Sequence, residues 1–350
     1  MSAARGTKHA NGSGPQPSAD LARLLDIVSA FSKQTILVLG DFVADEFVTG
    51  EISRVSREAP VLILRHRRTE LIPGGGANAV NNLVDLGARV LPVSAVGDDS
   101  PGRALLEYFR RKRVDTGGIA SIAGWTTTTK TRFLAGWTHT SRQQVLRVDR
   151  EAEAPLTERA QAAVARKAQL LARRASAVLV SDYGCGVVTP SLVRRLRAKL
   201  ITLDSRYALL DYRGAGVTAA TPNEPELEAL YHTRIGNNTA KLEELALRTL
   251  RLLGLEALVV TRGKDGMIVF ERGRRPHPIP IHGTDEVVDV TGAGDTVIAA
   301  FTLARAAGAT WVEAGQIATY ASGLVVMKRG TATVSRAELE AALRADATSR

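Results

Sequence analysis

Short apolar runs alternate with amphipathic helical patterns along most of the chain. Residues 36–39 (ILVL) form a buried-strand pattern that Gly40 closes, and residues 77–86 follow with apolar positions at helical spacing. This alternation predicts an α/β fold with a mostly parallel sheet and helices on both of its faces. The pattern also predicts strands at residues 90–96, 177–180, 200–203 and 257–260, and helices at residues 101–113, 157–174, 190–199 and 242–253.

Two stretches interrupt the alternation, at residues 42–71 and 119–149. They contain extended segments with alternating apolar and polar positions and no helical pattern between them. We expect them to supply the strands of a small second sheet that covers the active site as a lid. Exposed strand edges are often covered by a second subunit, which predicts a homodimer formed through the lid.

Polar residues follow most of the predicted strands. In open parallel sheets, ligands bind beyond the carboxyl ends of the strands, so these residues are candidates for a binding site. Taken singly, each of them is better explained as the cap of the next helix. The residues are Asp41, Asp182, Asp204, Asn223 and Thr261.

The chain has 350 residues, 45% of them hydrophobic, which suffices for one large domain that we place at residues 21–350. Residues 1–20 are rich in Ser, Gly, Ala and Pro and lack an apolar segment, which predicts a disordered extension and not a signal peptide. No apolar run is long enough to cross a membrane, and the single cysteine, Cys185, excludes an intramolecular disulfide. These features favour a cytoplasmic protein.

The net charge of +10 raises the question of nucleic-acid binding. The basic residues are scattered, however, and aromatic residues make up only 5% of the chain, too few for a surface on which bases stack. We interpret the charge as surface charge that in part attracts anionic small molecules. Neither a nucleic acid nor a membrane is expected as a partner.

Residues 289–295 (DVTGAGD) are the strongest chemical signal in the chain. They form a turn that opens a predicted helix at residues 296–307, and a helix N-terminus offers free N–H groups and the positive end of the peptide dipole. Gly292 and Gly294 allow this backbone to approach a phosphate closely. A carboxylate in such an anion site needs a separate task, so Asp295 is a candidate general base. The alternative is a capped turn in which Asp295 only stabilises the helix start.

A second glycine-rich turn, residues 73–78 (PGGGAN), lies between a predicted lid strand and a helix. Its glycines allow a ligand close to the backbone, and Asn78 and Asn82 lie one helical turn apart, where their amides suit sugar hydroxyls. A flexible hinge is the alternative. Two carboxylates after the first strand, Asp41 and Asp45, suit neighbouring sugar hydroxyls but also a metal ion or solvent.

Asn223 and Glu226 lie one turn apart at the start of a predicted helix. An amide and one carboxylate could hold a hydrated Mg²⁺, while an N-cap with an acidic first turn explains the same pair. The glycine-rich nucleotide motifs G-x-x-x-x-G-K-[ST] and G-x-G-x-x-G are absent from the sequence. A nucleotide would therefore bind by another route.

Together these motifs resemble the ribokinase-like (PfkB) family of carbohydrate kinases over roughly residues 34–344. The resemblance implies a three-layer α/β/α fold and transfer of the ATP γ-phosphate to a sugar hydroxyl, with ATP and Mg²⁺ required. It implies Asp295 as the catalytic base and an anion hole formed by the amides of Gly292, Ala293 and Gly294. The implied binding residues are Asn223 and Glu226 for phosphates and, through water, Mg²⁺; Thr261 and Gly263 for the nucleotide; and Asp41, Asp45, Gly75, Gly76 and Asn78 for the sugar.

Further segments look like the heptose 7-phosphate kinase branch of this family, among them residues 53–60 (SRVSREAP) and 181–183 (SDY). That branch phosphorylates the anomeric hydroxyl of D-glycero-β-D-manno-heptose 7-phosphate. A phosphorylated substrate would explain cations in the lid, since arginine pairs with phosphate through a planar fork. The candidate cations are Lys130, Arg132, Arg142 and Arg147.

Two positions depart from that branch, because Cys185 and Arg206 stand where it favours lysine. Another sugar or sugar phosphate is therefore an alternative substrate, as in phosphofructokinase-like, ribokinase-like or nucleoside kinases. A further alternative is a non-catalytic protein that keeps the fold and binds a sugar. Many members of the family also use a monovalent cation such as K⁺, here expected near Asp289 and Thr291.

Overall fold

The structure, a computed structural model, describes residues 18–136, 142–283, 289–328 and 330–349. Of the disordered extension expected at residues 1–20, residues 1–17 lie outside the described part of the chain. Residues 18–20 instead belong to the first helix.

Helices and strands alternate as the hydrophobic pattern predicts. The helices are α1 (Ser18–Ser29), α2 (Gly76–Asp85), α3 (Ser100–Arg111), α4 (Glu158–Ala172), α5 (Pro190–Val193), α6 (Glu224–Tyr231), α7 (Thr239–Leu253), α8 (Ala293–Ala306), α9 (Trp311–Val326) and α10 (Arg336–Ser349). The strands are β1 (Thr35–Gly40), β2 (Phe42–Val55), β3 (Leu62–Gly75), β4 (Arg89–Gly97), β5 (Ile119–Ile122), β6 (Thr129–Gly136), β7 (Gln143–Arg150), β8 (Ala177–Asp182), β9 (Ile201–Ser205), β10 (Ala219–Ala220), β11 (Ala257–Thr261), β12 (Met267–Glu271) and β13 (His277–Ile279).

A nine-stranded main sheet has the order β13-β12-β11-β10-β9-β8-β1-β4-β5. It is parallel from β11 to β5, and β12 and β13 add an antiparallel edge. Its interior strand β1 shows why both faces are covered: Ile36 and Val38 pack into one hydrophobic cluster, while Leu37 and Leu39 pack into the other. Helices α2, α8 and α9 cover the first face and α4 and α7 the second. The predicted α/β architecture is confirmed.

A four-stranded lid sheet, β3-β2-β6-β7, projects from the main sheet. Its strands come from the two stretches expected to form it. One difference concerns β5, which lies within the second stretch but pairs in parallel with β4 at the edge of the main sheet. A strand of only four residues carries too short a pattern to indicate which sheet it joins.

A second difference concerns the helix expected at residues 190–199. Only α5 forms there, and the amides of Arg195 and Leu196 donate to carbonyls three residues back, not four. The segment therefore continues as tighter turns that still bury Leu192 and Leu196. Among the residues that the structure describes, none of the helices combines the length and the hydrophobicity needed to cross a lipid bilayer.

Candidate active site

The turn before α8 takes a conformation that requires glycine. Gly292 is the N-cap of α8 and has φ of 80°, in the left-handed region. A Cβ on Gly292 would also lie 2.6 Å from Nδ2 of Asn78, which is too close. The glycine therefore lets the start of α8 pack directly against α2, and this packing places Asp295 in the first turn of α8.

Two side chains from other parts of the chain hold the Asp295 carboxylate. The amide of Asn78 on α2 donates to Oδ2 at 2.9 Å, and the hydroxyl of Tyr183, just after β8, donates to Oδ1 at 2.9 Å. Burial raises the pKa of Asp295 from 3.8 to about 7, although both hydrogen bonds favour the ionised form. A carboxylate that titrates near neutral pH is suited to accept a proton from a substrate.

The asparagine that contacts the base is itself held in a buried network. Asn82 donates from Nδ2 to the backbone carbonyl of Asn78 at 3.0 Å and to its side-chain oxygen at 3.2 Å. The Thr296 hydroxyl in turn donates to Oδ1 of Asn82 at 2.9 Å. Asn78 and Asn82, expected to meet sugar hydroxyls, thus link α2 to α8 and orient Asp295.

The glycine-rich turn at the end of β3 is closely packed. Gly75 has φ of 55° and precedes α2 as its N-cap. Around it, a Cβ on Gly75 would contact the Tyr183 ring at 3.3 Å, and one on Gly76 would lie 2.8 Å from the Cα of Gly40. The turn therefore lies next to the base and brings α2 against β1.

Asp41, expected to contact the sugar, is committed to the backbone instead. Its Oδ2 accepts the amides of Tyr183 and Cys185, each at 2.9 Å, and its Oδ1 accepts those of Val187 and Val188 at 3.0 and 3.1 Å. Burial raises its pKa to about 6, and the amides act against this rise. With both oxygens fully engaged and no solvent exposure, Asp41 shapes the 183–188 loop. We therefore revise its role from sugar contact to structural clamp.

Asp45 faces a lid cation beside the base. It is buried at the start of β2, and its Oδ1 accepts a 2.6 Å hydrogen bond from Nη1 of Arg132 on β6. Lys130, two residues before Arg132, places Nζ 5.6 Å from the centre of the Tyr183 ring. The charges of Asp45 and Lys130 both act on the pKa of Asp295, and Arg132 is joined to this group through its hydrogen bond to Asp45.

Arg142 and Arg147 lie farther along the lid, on or next to the exposed strand β7. Arg147 forms a two-point ion pair with Asp149. Asp149 is paired with Lys130 in the lid sheet, near Asp295. Arg142 precedes Asp149 by seven residues, which places it about 23 Å farther along the sheet. Within one chain, the structure does not bring Arg142 to Asp295.

Asn223 and Glu226 form a reciprocal cap at the start of α6. Oδ1 of Asn223 accepts the Glu226 amide at 2.8 Å, and Oε2 of Glu226 accepts the Asn223 amide at 2.9 Å. Asn223 also forms a parallel bridge with Thr261 at the end of β11, and Gly263 follows in a single helical turn. The capping interpretation is therefore realised, while Asn223 Nδ2 and Glu226 Oε1 remain for a ligand.

Asp204, near the end of β9, interacts electrostatically with both Glu226 and Asp295. Burial raises its pKa well above the usual value, and the charges of Glu226 and Asp295 add to the rise. Burial likewise raises the pKa of Glu226. Added positive charge would relieve this crowding of acids. The described residues contain no group of three or more His, Cys, Asp or Glu side chains arranged to ligate a metal directly.

The expected anion hole is only partly free. The Ala293 amide donates to the Val290 carbonyl at 3.2 Å and so closes the turn. The amides of Gly292 and Gly294 have no hydrogen-bond partner within residues 18–136, 142–283, 289–328 and 330–349. Upstream, Asp289 accepts the amides of Thr291 and Gly330, which ties this turn to the segment after α9.

Sequence reasoning gave no individual role to Tyr183 or Thr296, both of which belong to the base network. Tyr183 was part of a motif, but its contact with Asp295 spans 112 residues and has no local signal. Thr296 follows Asp295 directly, so a hydroxyl one residue after the base was the available clue.

Comparison with known proteins shows a sequence family. A family model for pfkB family carbohydrate kinases matches residues 34–338. The bifunctional proteins HldE of Desulfatibacillum aliphaticivorans and Geobacter metallireducens are 39% and 40% identical over 322 and 310 residues. The alignments cover 90% and 87% of this chain but only 64% and 61% of those relatives, so the chain spans less than two thirds of their length.

Solved structures share the fold at low sequence identity. Arabidopsis thaliana ribokinase, complexed with ribose and ATP, has a TM-score of 0.67 at 19% identity and covers 89% of this chain and 99% of its own. Escherichia coli phosphofructokinase-2, in complex with potassium, has a TM-score of 0.70 at 16% identity, with coverages of 90% and 99%. The three-layer architecture with a small second sheet is thus a known one.

Proposed function

We propose, since this chain belongs to the pfkB family of carbohydrate kinases, that it transfers the γ-phosphoryl group of ATP to the anomeric hydroxyl of D-glycero-β-D-manno-heptose 7-phosphate. The observation that carries the kinase assignment is the Asp295 carboxylate, held by two donors at the start of α8 with its pKa raised to about 7. The relatives named bifunctional protein HldE support the heptose substrate.

In this proposal Asp295 is the general base. It takes the proton of the sugar hydroxyl as the new oxygen–phosphorus bond forms and the bond from the γ-phosphorus to the leaving ADP oxygen breaks. The free amides of Gly292 and Gly294 face the charge on the transferring group, and the positive end of α8 adds to their effect. Ala293 contributes through the turn that its amide closes.

The nucleotide and its metal ion fit the edge formed by Asn223, Glu226, Thr261 and Gly263. Glu226 keeps Oε1 as an acceptor for the water shell of the ion, while the free Nδ2 of Asn223 is a donor that suits a phosphate oxygen. The Thr221 hydroxyl, buried two residues before Asn223, has no hydrogen-bond partner in the part of the chain described. Mg²⁺, when bound, neutralises phosphate charge and would be held there through water. A monovalent cation fits near Asp289 and Thr291, because the neighbouring Thr331 hydroxyl is also buried and unpaired among the described residues.

The sugar fits between the glycine turn and the lid. Asp45 acts on the pKa of Asp295, and Gly75 lies against the Tyr183 ring that contacts Asp295, which supports Asp45, Gly75 and Gly76 as the groups that bind the hydroxyls near the anomeric carbon. Lys130 and Arg132 are the lid cations nearest to the base, and they suit the substrate's own phosphate. Asn78 acts through Asp295 in this arrangement.

The sugar assignment is tested with a panel of free sugars and sugar phosphates. Transfer is followed by ADP release, and ³¹P NMR identifies the position of the new phosphate. We expect an anomeric phosphate on heptose 7-phosphate and turnover at least tenfold higher than on ribose, fructose 6-phosphate or adenosine. If the enzyme preferred one of those acceptors, that acceptor would take the place of heptose 7-phosphate as the proposed substrate. The departures from the heptose branch at Cys185 and Arg206 would then explain the difference. ATP binding without transfer to any acceptor would overturn the kinase proposal.

We also propose that residues 21–350 act as one kinase domain in the cytoplasm and form a homodimer through the lid. Large hydrophobic side chains are exposed on the lid, and β3 and β7 are its edge strands. Light scattering should give a dimer mass for the native chain and a monomer mass for the double variant Leu62→Ser, Leu146→Ser. A native monomer at micromolar concentration would contradict the proposal. The exposed side chains are Val55, Val61, Leu62, Val145, Leu146 and Val148.

A further inference from the structure

The Tyr183 hydroxyl occupies one oxygen of the catalytic base. It donates to Oδ1 of Asp295 at 2.9 Å, while Asn78 holds the other oxygen at the same distance. Burial raises the pKa of Tyr183 well above its usual value, so the hydroxyl keeps its proton and acts as a donor. A carboxylate has about four acceptor positions on its two oxygens, so both donors leave room for a substrate hydroxyl.

The Tyr183 ring is fixed from three sides. Its backbone amide donates to Asp41 at 2.9 Å, which anchors the loop that carries it. The ring edge lies next to Gly75, where a Cβ would approach it to 3.3 Å. On the lid side, the Lys130 ammonium group lies 5.6 Å from the ring centre, within range of a cation–π interaction. The side chain therefore contacts the base, the glycine turn and the lid at once.

We propose that Tyr183 is a positioning residue for phosphoryl transfer, whose hydroxyl orients the Asp295 carboxylate toward the sugar hydroxyl and whose ring links that orientation to Lys130 of the lid. This inference rests on the proposed kinase function. It assigns to the Tyr183 hydroxyl the second of the two side-chain hydrogen bonds that hold the plane of the Asp295 carboxylate, the first coming from Asn78.

The hydrogen bond also acts on the charge of the base. A donor to a carboxylate favours its ionised form, so the bond from Tyr183 lowers the pKa that burial raises. Other ionisable groups among the described residues whose charges interact with Asp295 include Asp45 from β2, Lys130 from β6 and Asp204 from β9. None of these is altered when only the Tyr183 hydroxyl is removed.

The test is the variant Tyr183→Phe, which keeps the ring and removes the hydroxyl. We expect kcat to fall by about 10- to 100-fold, the size of a lost hydrogen bond to a charged group. The KM for ATP should change less than threefold. The acid limb of the kcat/KM profile should move to higher pH by about one unit, because the base is harder to ionise. An unchanged acid limb would overturn the proposal even if kcat fell.

Tyr212→Phe is the matched control. Its buried hydroxyl also donates to a carboxylate, Oδ2 of Asp182 at 2.8 Å, but this carboxylate is not the base. We expect the control to lower the melting temperature and to leave the acid limb in place. An equal shift of the acid limb in both variants would mean that Tyr183 acts only through general stability, which would refute a positioning role.

A second measurement separates this inference from the proposed function. Loss of the hydroxyl removes a bond that is stronger to ionised than to protonated Asp295. The melting temperature of Tyr183→Phe should therefore fall further below that of the native chain at pH 8 than at pH 5. This readout needs no sugar, so it stands even if no acceptor is phosphorylated. An equal difference at both pH values would count against the contact with Asp295.

Discussion

The core half and the lid half of the proposed site are built differently. In the core half, Asn78, Asn82, Asp295 and Thr296 are buried, and their hydrogen bonds join residues more than 200 positions apart. In the lid half, every residue of β7 is exposed, and charged groups pair mostly with neighbours in the same sheet. Among the lid ion pairs in the part of the chain that the structure describes, the pair between Asp45 and Arg132 is the most protected from solvent.

This difference suggests which half of the proposed site serves which step of the reaction. A base must be held in one geometry while charge moves, which demands a buried and fully bonded surrounding. A sugar must enter and leave, and its hydroxyls and phosphate can be met by side chains on a sheet that tolerates change. The reaction type is therefore expected to depend on the core half and the choice of sugar on the lid half.

The largest effect should come from the base. Asp295→Asn keeps the shape and removes the proton acceptor, so kcat should fall by about 10²–10⁴ with the fold intact. Steady-state ADP release and circular dichroism measure both properties. Asp98→Asn, at an exposed carboxylate paired with Arg103, is the control and should keep native turnover. Native turnover in Asp295→Asn would remove the core half from the chemistry.

The pH dependence comes next in size. Asp295 must be ionised to accept a proton, and its pKa is about 7, so kcat/KM should rise about tenfold per pH unit below pH 7 and level off above it. The contribution of Asp295 to the stability of the folded protein should change in the opposite direction with pH. Folding raises the pKa of Asp295 from 3.8 to about 7, so its contribution to stability is complete below pH 3.8 and is lost as the pH rises through 7. A kcat/KM profile that is flat from pH 5 to 8 would contradict the role of Asp295 as the base.

The protected lid pair should matter less for turnover and more for binding. Arg132→Gln leaves Asp45 buried without its cation, which should cost about 3 kcal/mol of unfolding free energy. We expect the KM for the sugar phosphate to rise at least tenfold, while kcat changes less than fivefold. Denaturant titration and initial rates provide the two values. A loss confined to kcat would place Arg132 with the chemistry and weaken the division between the halves.

The smallest effect should come from the exposed lid pair. Arg147 and Asp149 keep 41% and 33% of their side chains exposed, so Arg147→Gln should change the unfolding free energy by less than about 1 kcal/mol. Its KM for the sugar phosphate serves as the reference for Arg132→Gln. A larger rise in KM for Arg147→Gln would place the substrate phosphate farther along β7.

The parts of the molecule that sequence could predict are those with local causes. The α/β architecture follows from periodicity, and the start of α8 follows from a glycine turn next to a helical pattern. Asp295 could be predicted as the base because the glycine turn and the carboxylate lie within a few residues of each other. Glycine at position 292 is required both by its φ and by contact with Asn78, although only the first cause is visible in the sequence.

The features that sequence could not predict depend on which elements, distant along the chain, pack together. Asn78 was expected to meet a sugar, but its partner Asp295 lies 217 residues away and is reached only because α2 packs on α8. Asp41 was expected at the same ligand, but four amides of residues 183–188 fill its oxygens. The strand β5 has a pattern that suits either sheet, and only its pairing with β4 decides. In each case a side chain or a strand had several possible partners, and the tertiary fold selected one.

The clamp at Asp41 has a mechanical consequence. A single residue separates β1 of the main sheet from β2 of the lid, and its carbonyl accepts the amide of Gly76 at 2.9 Å, where β3 returns to the core. The two points at which the chain passes between the main sheet and the lid therefore lie side by side. Strand β2 extends about 45 Å from this point over its 14 residues, so a rotation of roughly 10° there would displace the far end of the lid by about 8 Å. A rotation at residues 40–42 would therefore move the far end of the lid much farther than Tyr183, whose backbone amide is bound to Asp41.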